Sequence, residues 1–106
     1  MSVEQRQPPR KILRTRAMLV MDGAAAVAAH TLDIGASGVA AVVDEALAVG
    51  HKGRIVFEML VDGKLQLVDG QVAANYCILS HDGFKVGLQF VNLDSAMANA
   101  ISRYLH

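Results

Sequence analysis

Four Asp-Gly pairs, Asp22-Gly23, Asp62-Gly63, Asp69-Gly70 and Asp82-Gly83, cut this chain into short segments rich in apolar residues. Asp-Gly suits the tight hairpin turn whose two central residues both take positive φ, and that turn twists in the same sense as the strands it joins. Between the pairs, apolar residues recur at every second position. Ile55, Phe57, Met59 and Val61 fall on one face, with Arg54, Glu58 and Asp62 on the other. Phe84, Val86, Leu88 and Phe90 repeat the pattern, with Lys85 and Gln89 opposite. A period of two marks a half-buried strand, so the sequence predicts antiparallel strands near 16–22, 25–33, 38–43, 54–62, 64–79 and 84–92. The fifth is longer than strands usually run, and a bend is expected at Asp69-Gly70. Residues 44–53 read as a loop, because the six residues before Gly50 are too few for an independent helix.

The last dozen residues change period. Met97, Ile101, Tyr104 and Leu105 lie on one face of an α-helix, with Asp94 or Ser95 as the N-cap and Arg103 near the C-terminus, where a cation offsets the helix dipole. A twisted sheet curled into a small barrel leaves an open end that one such helix would cover. The expected fold is therefore mainly β: a six-stranded antiparallel β-barrel with a C-terminal α-helix. Of the 106 residues, 53% are hydrophobic, enough to close one core and too few for a second domain with an interdomain cleft. Residues 1–9 are polar, carry both prolines and show no periodicity; they read as a flexible N-terminal arm ahead of a domain at 10–106.

The formal charge is zero but unevenly placed. Residues 1–16 carry Arg6, Arg10, Lys11, Arg14 and Arg16 against Glu4 alone, so a basic arm precedes an acidic body. A general nucleic-acid surface shows a high pI and basic residues along a whole face, so this distribution suits a compact anionic ligand better. Small barrels that bind oligonucleotides stack bases on exposed aromatics. Here Phe57, Phe84 and Phe90 fall on the apolar face, which leaves Tyr76 as the one platform, too few for that role. Cys77 is the only cysteine, so no internal disulfide forms and a reducing cytoplasm is the expected compartment. Apolar runs fall short of the roughly 18 residues of a membrane span. Asp22-Gly23 interrupts the stretch closest to a signal peptide.

Enzyme chemistry finds little support. His30, His51, His81 and His106 are not spaced for a metal, and no cofactor site is expected. Ser80-His81-Asp82 has the residue types of a hydrolytic triad, but neighbours in a strand point to alternate faces and cannot converge on one atom. Cys77 sits in an apolar strand with no adjacent base, as an inert thiol would. No Gly-rich run leads into Lys-Ser or Lys-Thr, so a triphosphate loop is absent.

Two clusters remain. Arg10-Lys-Ile-Leu-Arg14 places two arginines four apart where the arm meets the first strand, and paired guanidiniums grip phosphate in a bidentate way and stack on bases. Asp33-Ile-Gly-Ala-Ser-Gly38 lies at the turn between the second and third strands. Each alone fits a plain solvated run or turn. Together with Gly87-Leu-Gln-Phe90 ahead of a terminal helix, they closely resemble the PilZ domain family of bacterial receptors for cyclic di-GMP, over roughly residues 10 to 105.

The resemblance implies a cytoplasmic, non-enzymatic receptor or adaptor that holds cyclic di-GMP on the outer surface of the barrel and passes the signal to a partner protein. It implies that Arg10 and Arg14 contact guanines and phosphates, that Asp33 reads a guanine edge, and that Gly35, Ser37 and Gly38 shape the loop. Arg6-Gln-Pro-Pro-Arg10 has the same spacing, but Arg10 and Arg14 lead directly into the first strand. The family's serine is replaced by Gly35, and losing one neutral hydrogen bond should weaken binding by roughly two- to tenfold. Ser37, two residues on, offers a substitute hydroxyl. The rival expectation is a degenerate adaptor that binds no nucleotide and acts through protein contacts. Binding would order the arginine arm over the barrel.

Overall fold

The computed structural model describes residues 9–106. Seven strands, β1 (Arg10–Ile12), β2 (Arg16–Met21), β3 (Val27–Gly35), β4 (Gly38–Val43), β5 (Lys52–Val61), β6 (Lys64–Ser80) and β7 (Gly83–Val91), precede one helix, α1 (Ser95–Leu105). Every pairing is antiparallel. The order β3-β2-β5-β6-β7-β4 closes through a β3–β4 pairing into a six-stranded barrel, and β1 adds to β3 as an extra strand. Among the described residues no helix is long and apolar enough to cross a membrane.

The period-two faces are those read from the sequence. Ile55, Phe57, Met59 and Val61 of β5, with Val86 and Leu88 of β7, point into one core that also takes Leu19, Ile34, Val39, Val68 and Val72. Helix α1 starts at Asp94, whose carboxylate accepts the Met97 N–H at 2.8 Å. It docks Ala100 and Ile101 into the same core. Residues 44–51 are a loop; the loop expected to run to 53 ends two residues sooner, because Lys52 and Gly53 pair with Ala73 and Val72 at the start of β5.

The Asp-Gly pairs divide by context. Asp62-Gly63 is a two-residue hairpin turn with both φ positive (51° and 78°), joining Val61 to Lys64. Between Ser80 and Gly83 the turn residues are His81 and Asp82, one position earlier than the Asp-Gly pair. Asp69-Gly70 forms no bend. It lies inside β6, where Asp69 pairs by two hydrogen bonds with Arg54 (2.5 and 2.6 Å) and Gly70 leaves room for Leu93 and Phe90. The irregularity of the long strand falls instead between Ala74 and Tyr76.

The second difference is β1. The chain pairs with the far half of β3 over Arg10–Ile12, breaks at 13–15, and rejoins the near half as β2. Buried Thr31 fills the break. Its hydroxyl donates to the Leu13 carbonyl at 2.5 Å and accepts the Thr15 N–H at 3.0 Å. On the other side of β1, the Tyr104 hydroxyl donates to the Ile12 carbonyl at 2.8 Å. Lys11 Nζ donates to the Tyr104 carbonyl at 3.0 Å and lies 4.4 Å from that ring's centroid.

Candidate functional site

Two β-bulges decide what the outer surface of the barrel presents. In β3 the inward positions are Ala29 and Thr31, so strict alternation would also turn Asp33 inward. The register slips there: Thr31 opposes Ala41, and Asp33, two residues on, opposes Ala40. One extra residue reverses the alternation, so Ile34 is fully buried and Asp33 is half-buried on the outer side. In β6, Val68, Val72 and Ala74 face inward, and alternation would bury Tyr76 as well. Ala74 opposes Leu88, whereas Tyr76 opposes Gly87, the very next residue of β7. This second slip sends Cys77 toward the core and Tyr76 outward.

Both re-aimed residues lie on one row across the sheet. Asp33 of β3 opposes Ala40 of β4, Ala40 opposes Gly87 of β7, and Gly87 opposes Tyr76 of β6. Between the carboxylate and the aromatic ring there are only a methyl group and a bare backbone. The ring lies directly on that backbone: a Cβ added at Gly87 would stand 2.1 Å from Tyr76 Cε2.

Arg10 opens this surface from the other side. In β1 it opposes Gly35, and its guanidinium folds back on Asp33, with Nε at 2.7 Å and Nη2 at 2.6 Å from the same oxygen, Oδ1. Asp33 Oδ2 is left without a hydrogen bond or ion pair among the described residues. Nη1 lies over Gly35, where an added Cβ would come within 2.9 Å. With no side chain at Gly35, the guanidinium rests over β3. Arg10 and Asp33 are 43% and 34% exposed, and a pair this wet contributes little to stability, so the guanidinium can be exchanged to an incoming anion at small cost.

A cavity of about 350 Å³ is bounded by Arg10, Ser37, Gly38, Asn75, Tyr76 and Gln89, among others. Five of the six residues expected at the site therefore meet: Arg10 pairs with Asp33, crosses Gly35, and borders the cavity with Ser37 and Gly38. Ser37 is exposed there, while its carbonyl accepts the Phe90 N–H at 2.9 Å. Gly38 has a packing reason: a Cβ there would lie 2.4 Å from the Leu88 carbonyl oxygen, so only glycine lets β4 approach β7 at this point. Arg14 is apart from the group. It is exposed in the break between β1 and β2 and makes no hydrogen bond or ion pair among the described residues. Arg6, which shares the spacing with Arg10, lies outside the described residues. Asn75, Gln89 and the seat of Tyr76 on Gly87 were not read from the sequence as parts of a site. The signal available was the mid-strand Gly87, which costs strand stability unless something packs on it. Ser80, His81 and Asp82 are exposed at the β6–β7 turn, remote from this row in the register.

The sequence matches the family model described as PilZ domain over residues 4–106. The fold is similar to that of the inhibitor of motility MotI/DgrA of Bacillus subtilis, with a TM-score of 0.82 at 14% identity over 97% of this chain and 50% of that one. YcgR from Escherichia coli, solved in complex with c-di-GMP, gives 0.77 at 14% identity over 96% and 45%. PlzA of Borreliella burgdorferi, also in complex with c-di-GMP, gives 0.69 at 14% identity over 96% and 41%. The chain spans half or less of the length of these proteins. No curated protein sequence matches it significantly. The family match covers nearly the whole chain, and the closed barrel with its extra strand and terminal helix agrees with it: the chain belongs to the PilZ domain family.

Proposed function

We propose that this chain is a receptor domain for cyclic di-GMP and that the surface around Arg10 holds the messenger. The observation that carries the reading is the Arg10–Asp33 pair at the edge of a cavity shared with Ser37 and Gly38, in a PilZ domain. A guanidinium binds a phosphate in a bidentate way and lies flat on a purine. The free Oδ2 of Asp33 is an acceptor for the N–H groups of a guanine edge. The cavity is at the lower end of the roughly 300–1,000 Å³ of ligand sites, so it takes part of a cyclic dinucleotide and the rest lies along the outer sheet. Solved structures with this fold carry the same ligand, which supports the reading.

Arg10 is the anchor of the arginine motif in either register. From Arg10 to Ile12, β1 runs away from the turn at 35–38, because Arg10 opposes Gly35 and Ile12 opposes Asp33. Arg14 is four residues further in that direction, about 13 Å of extended chain. The direction of β1 favours Arg6 over Arg14 as the second arginine, with the preceding arm closing over the ligand on binding. Ser37, exposed at the cavity edge, offers a hydroxyl of its own to the ligand.

Isothermal titration calorimetry with cyclic di-GMP tests this. Intact protein should bind at micromolar concentration or below, and Arg10→Ala should weaken binding at least tenfold, as expected for a charge-assisted contact worth roughly 1.5–3 kcal/mol. Arg6→Ala should weaken it more than Arg14→Ala; the reverse order returns the second role to Arg14. If intact protein does not bind at tens of micromolar, the receptor reading fails and the adaptor that binds no nucleotide takes its place.

A further inference from the structure

We infer that Tyr76 is a stacking platform for one purine base of the bound ligand and forms the wall of the site opposite Arg10 and Asp33. This rests on the cyclic di-GMP reading above and adds a residue outside the arginine and Asp33–Gly38 motifs.

Three observations point there. First, the two bulges in β3 and β6 end on the same row, at Asp33 and Tyr76, and each turns outward a side chain that alternation would have buried. Bulges recur where a strand must re-aim a functional side chain. One irregularity could be an accident of barrel closure, but two that reverse the faces of an acid and an aromatic across one trough act together. Second, the floor between them is bare. Ala40 and Gly87 are the smallest residues available, and Ala40 is only 4% exposed although alternation puts it on the outer side, so the walls shade the trough. The strands of Asp33 and Tyr76 are three inter-strand steps apart, about 14 Å along the sheet. No single phosphate or base can touch both walls, whereas a dinucleotide can. Third, the ring is braced. It lies on the Gly87 backbone at a distance no Cβ would permit, and it borders the same cavity as Arg10. A platform held in place before binding loses little freedom when a base stacks on it.

The alternative role for Tyr76 is to cover Gly87 and seal the barrel wall. A cover needs apolar area, which a leucine supplies; a platform needs a flat π-face, which only an aromatic supplies. Titration of cyclic di-GMP, followed by calorimetry and by tyrosine emission, separates the two. The chain has no tryptophan and two tyrosines, Tyr76 and Tyr104, so emission reports on very few groups. Binding should quench the emission of intact protein. Tyr76→Phe keeps the π-face and should bind within about threefold of intact protein, while its residual Tyr104 emission stays unquenched. Tyr76→Leu should weaken binding by about 5- to 100-fold, the range that loss of one base–aromatic stack gives.

The inference is overturned if Tyr76→Leu binds within twofold of intact protein, or if saturating ligand leaves the emission of intact protein unchanged; the receptor reading then stands without Tyr76. Should Tyr76→Leu fail to fold, the comparison of intact protein with Tyr76→Phe still decides. Absence of binding to intact protein refutes the receptor reading and this inference with it.

Discussion

Replacing Thr31 with valine tests whether the position of Arg10 is set by one buried hydroxyl. Thr31 is 1% exposed and is the only buried polar side chain among the described residues. Its oxygen bridges the break between β1 and β2, donating to the Leu13 carbonyl and accepting the Thr15 N–H. Valine has nearly the same shape, so packing is kept while both backbone groups lose their partner. An unsatisfied buried group costs roughly 1–3 kcal/mol, with Thr15 at the low end because its surroundings are half-buried. The added methyl returns about 0.8 kcal/mol. The net loss is then about 1–3 kcal/mol, or roughly 5–15 °C in melting temperature for a domain of this size. Urea unfolding followed by circular dichroism should show a lower midpoint at unchanged slope. Cyclic di-GMP affinity should fall too, since a loosened β1 presents Arg10 opposite Gly35 for a smaller fraction of the time. Thr31→Ser keeps the hydroxyl and should keep the affinity. A Thr31→Val protein within 0.5 kcal/mol of the parent, by the about 1 kcal/mol scale of a single hydrogen bond, refutes the bridging argument. So does a serine variant that loses as much affinity as the valine one.

Gly87→Ala should drive the Tyr76 ring off its seat, because the new Cβ would fall 2.1 Å from Cε2. Overpacking of this kind costs about 1–3 kcal/mol in a thermal melt, and ligand affinity should drop as in Tyr76→Leu. Gly35→Ser restores the hydroxyl of the family motif. Its Cβ would meet Arg10 Nη1 at 2.9 Å, the far end of a flexible side chain that can shift, with the Pro9 carbonyl at 3.3 Å and Arg10 Cγ at 3.4 Å, so calorimetry should register binding tighter by roughly two- to tenfold. Weaker binding would mean that the guanidinium needs the vacant space. The hydrogen bonds from Arg54 hold the Asp69 carboxyl below its ordinary value, with desolvation opposing and the Arg54 charge assisting. The pair therefore adds stability that is present above about pH 3.8 and is lost as pH falls through the depressed value. Urea midpoints of parent and Asp69→Asn should differ at pH 7 and converge once the pH has fallen below the depressed Asp69 value; a gap that stays equal down to full protonation would contradict the assignment.

The strand that carries Arg10 is only three residues long, too short to hold by its own ladder. It is fixed from two sides by contacts outside that ladder: Thr31 behind it, and Tyr104 with Lys11 in front. The contacts to Tyr104 join it to the last turn of α1, where Lys11 also offers a cation to the free carbonyls of the helix end. Arg10 and the terminal helix are thus joined through one three-residue strand.

Most of the barrel was legible because strand faces follow a period of two, and hydrophobic burial enforces it: β5 buries all four residues its alternation assigns to the core, and β7 buries Val86 and Leu88 with Phe84 and Phe90 half-buried against it. Helix α1 was legible for the same reason at a period of 3.6, with the structure choosing Asp94 over Ser95 as its cap. What escaped were the places where the count shifts by one. Counted along β3 or β6, Asp33 and Tyr76 belong inside with Thr31 and Ala74; only the partner strand reveals the extra residue, and a partner strand is a long-range fact. Strand β1 escaped because its three residues are all exposed and carry no alternation to read. The motif residues Arg10 and Asp33 were found through their spacing and residue type, which carry no information about faces. A buried carboxylate cannot stay charged without a partner, so Asp33 reaches the Arg10 guanidinium on the outer surface only because the period-two rule is broken beside it. The candidate site therefore lies where the sequence pattern fails as a guide to structure, and that failure is what puts an acid and an aromatic on the outside of an otherwise regular wall.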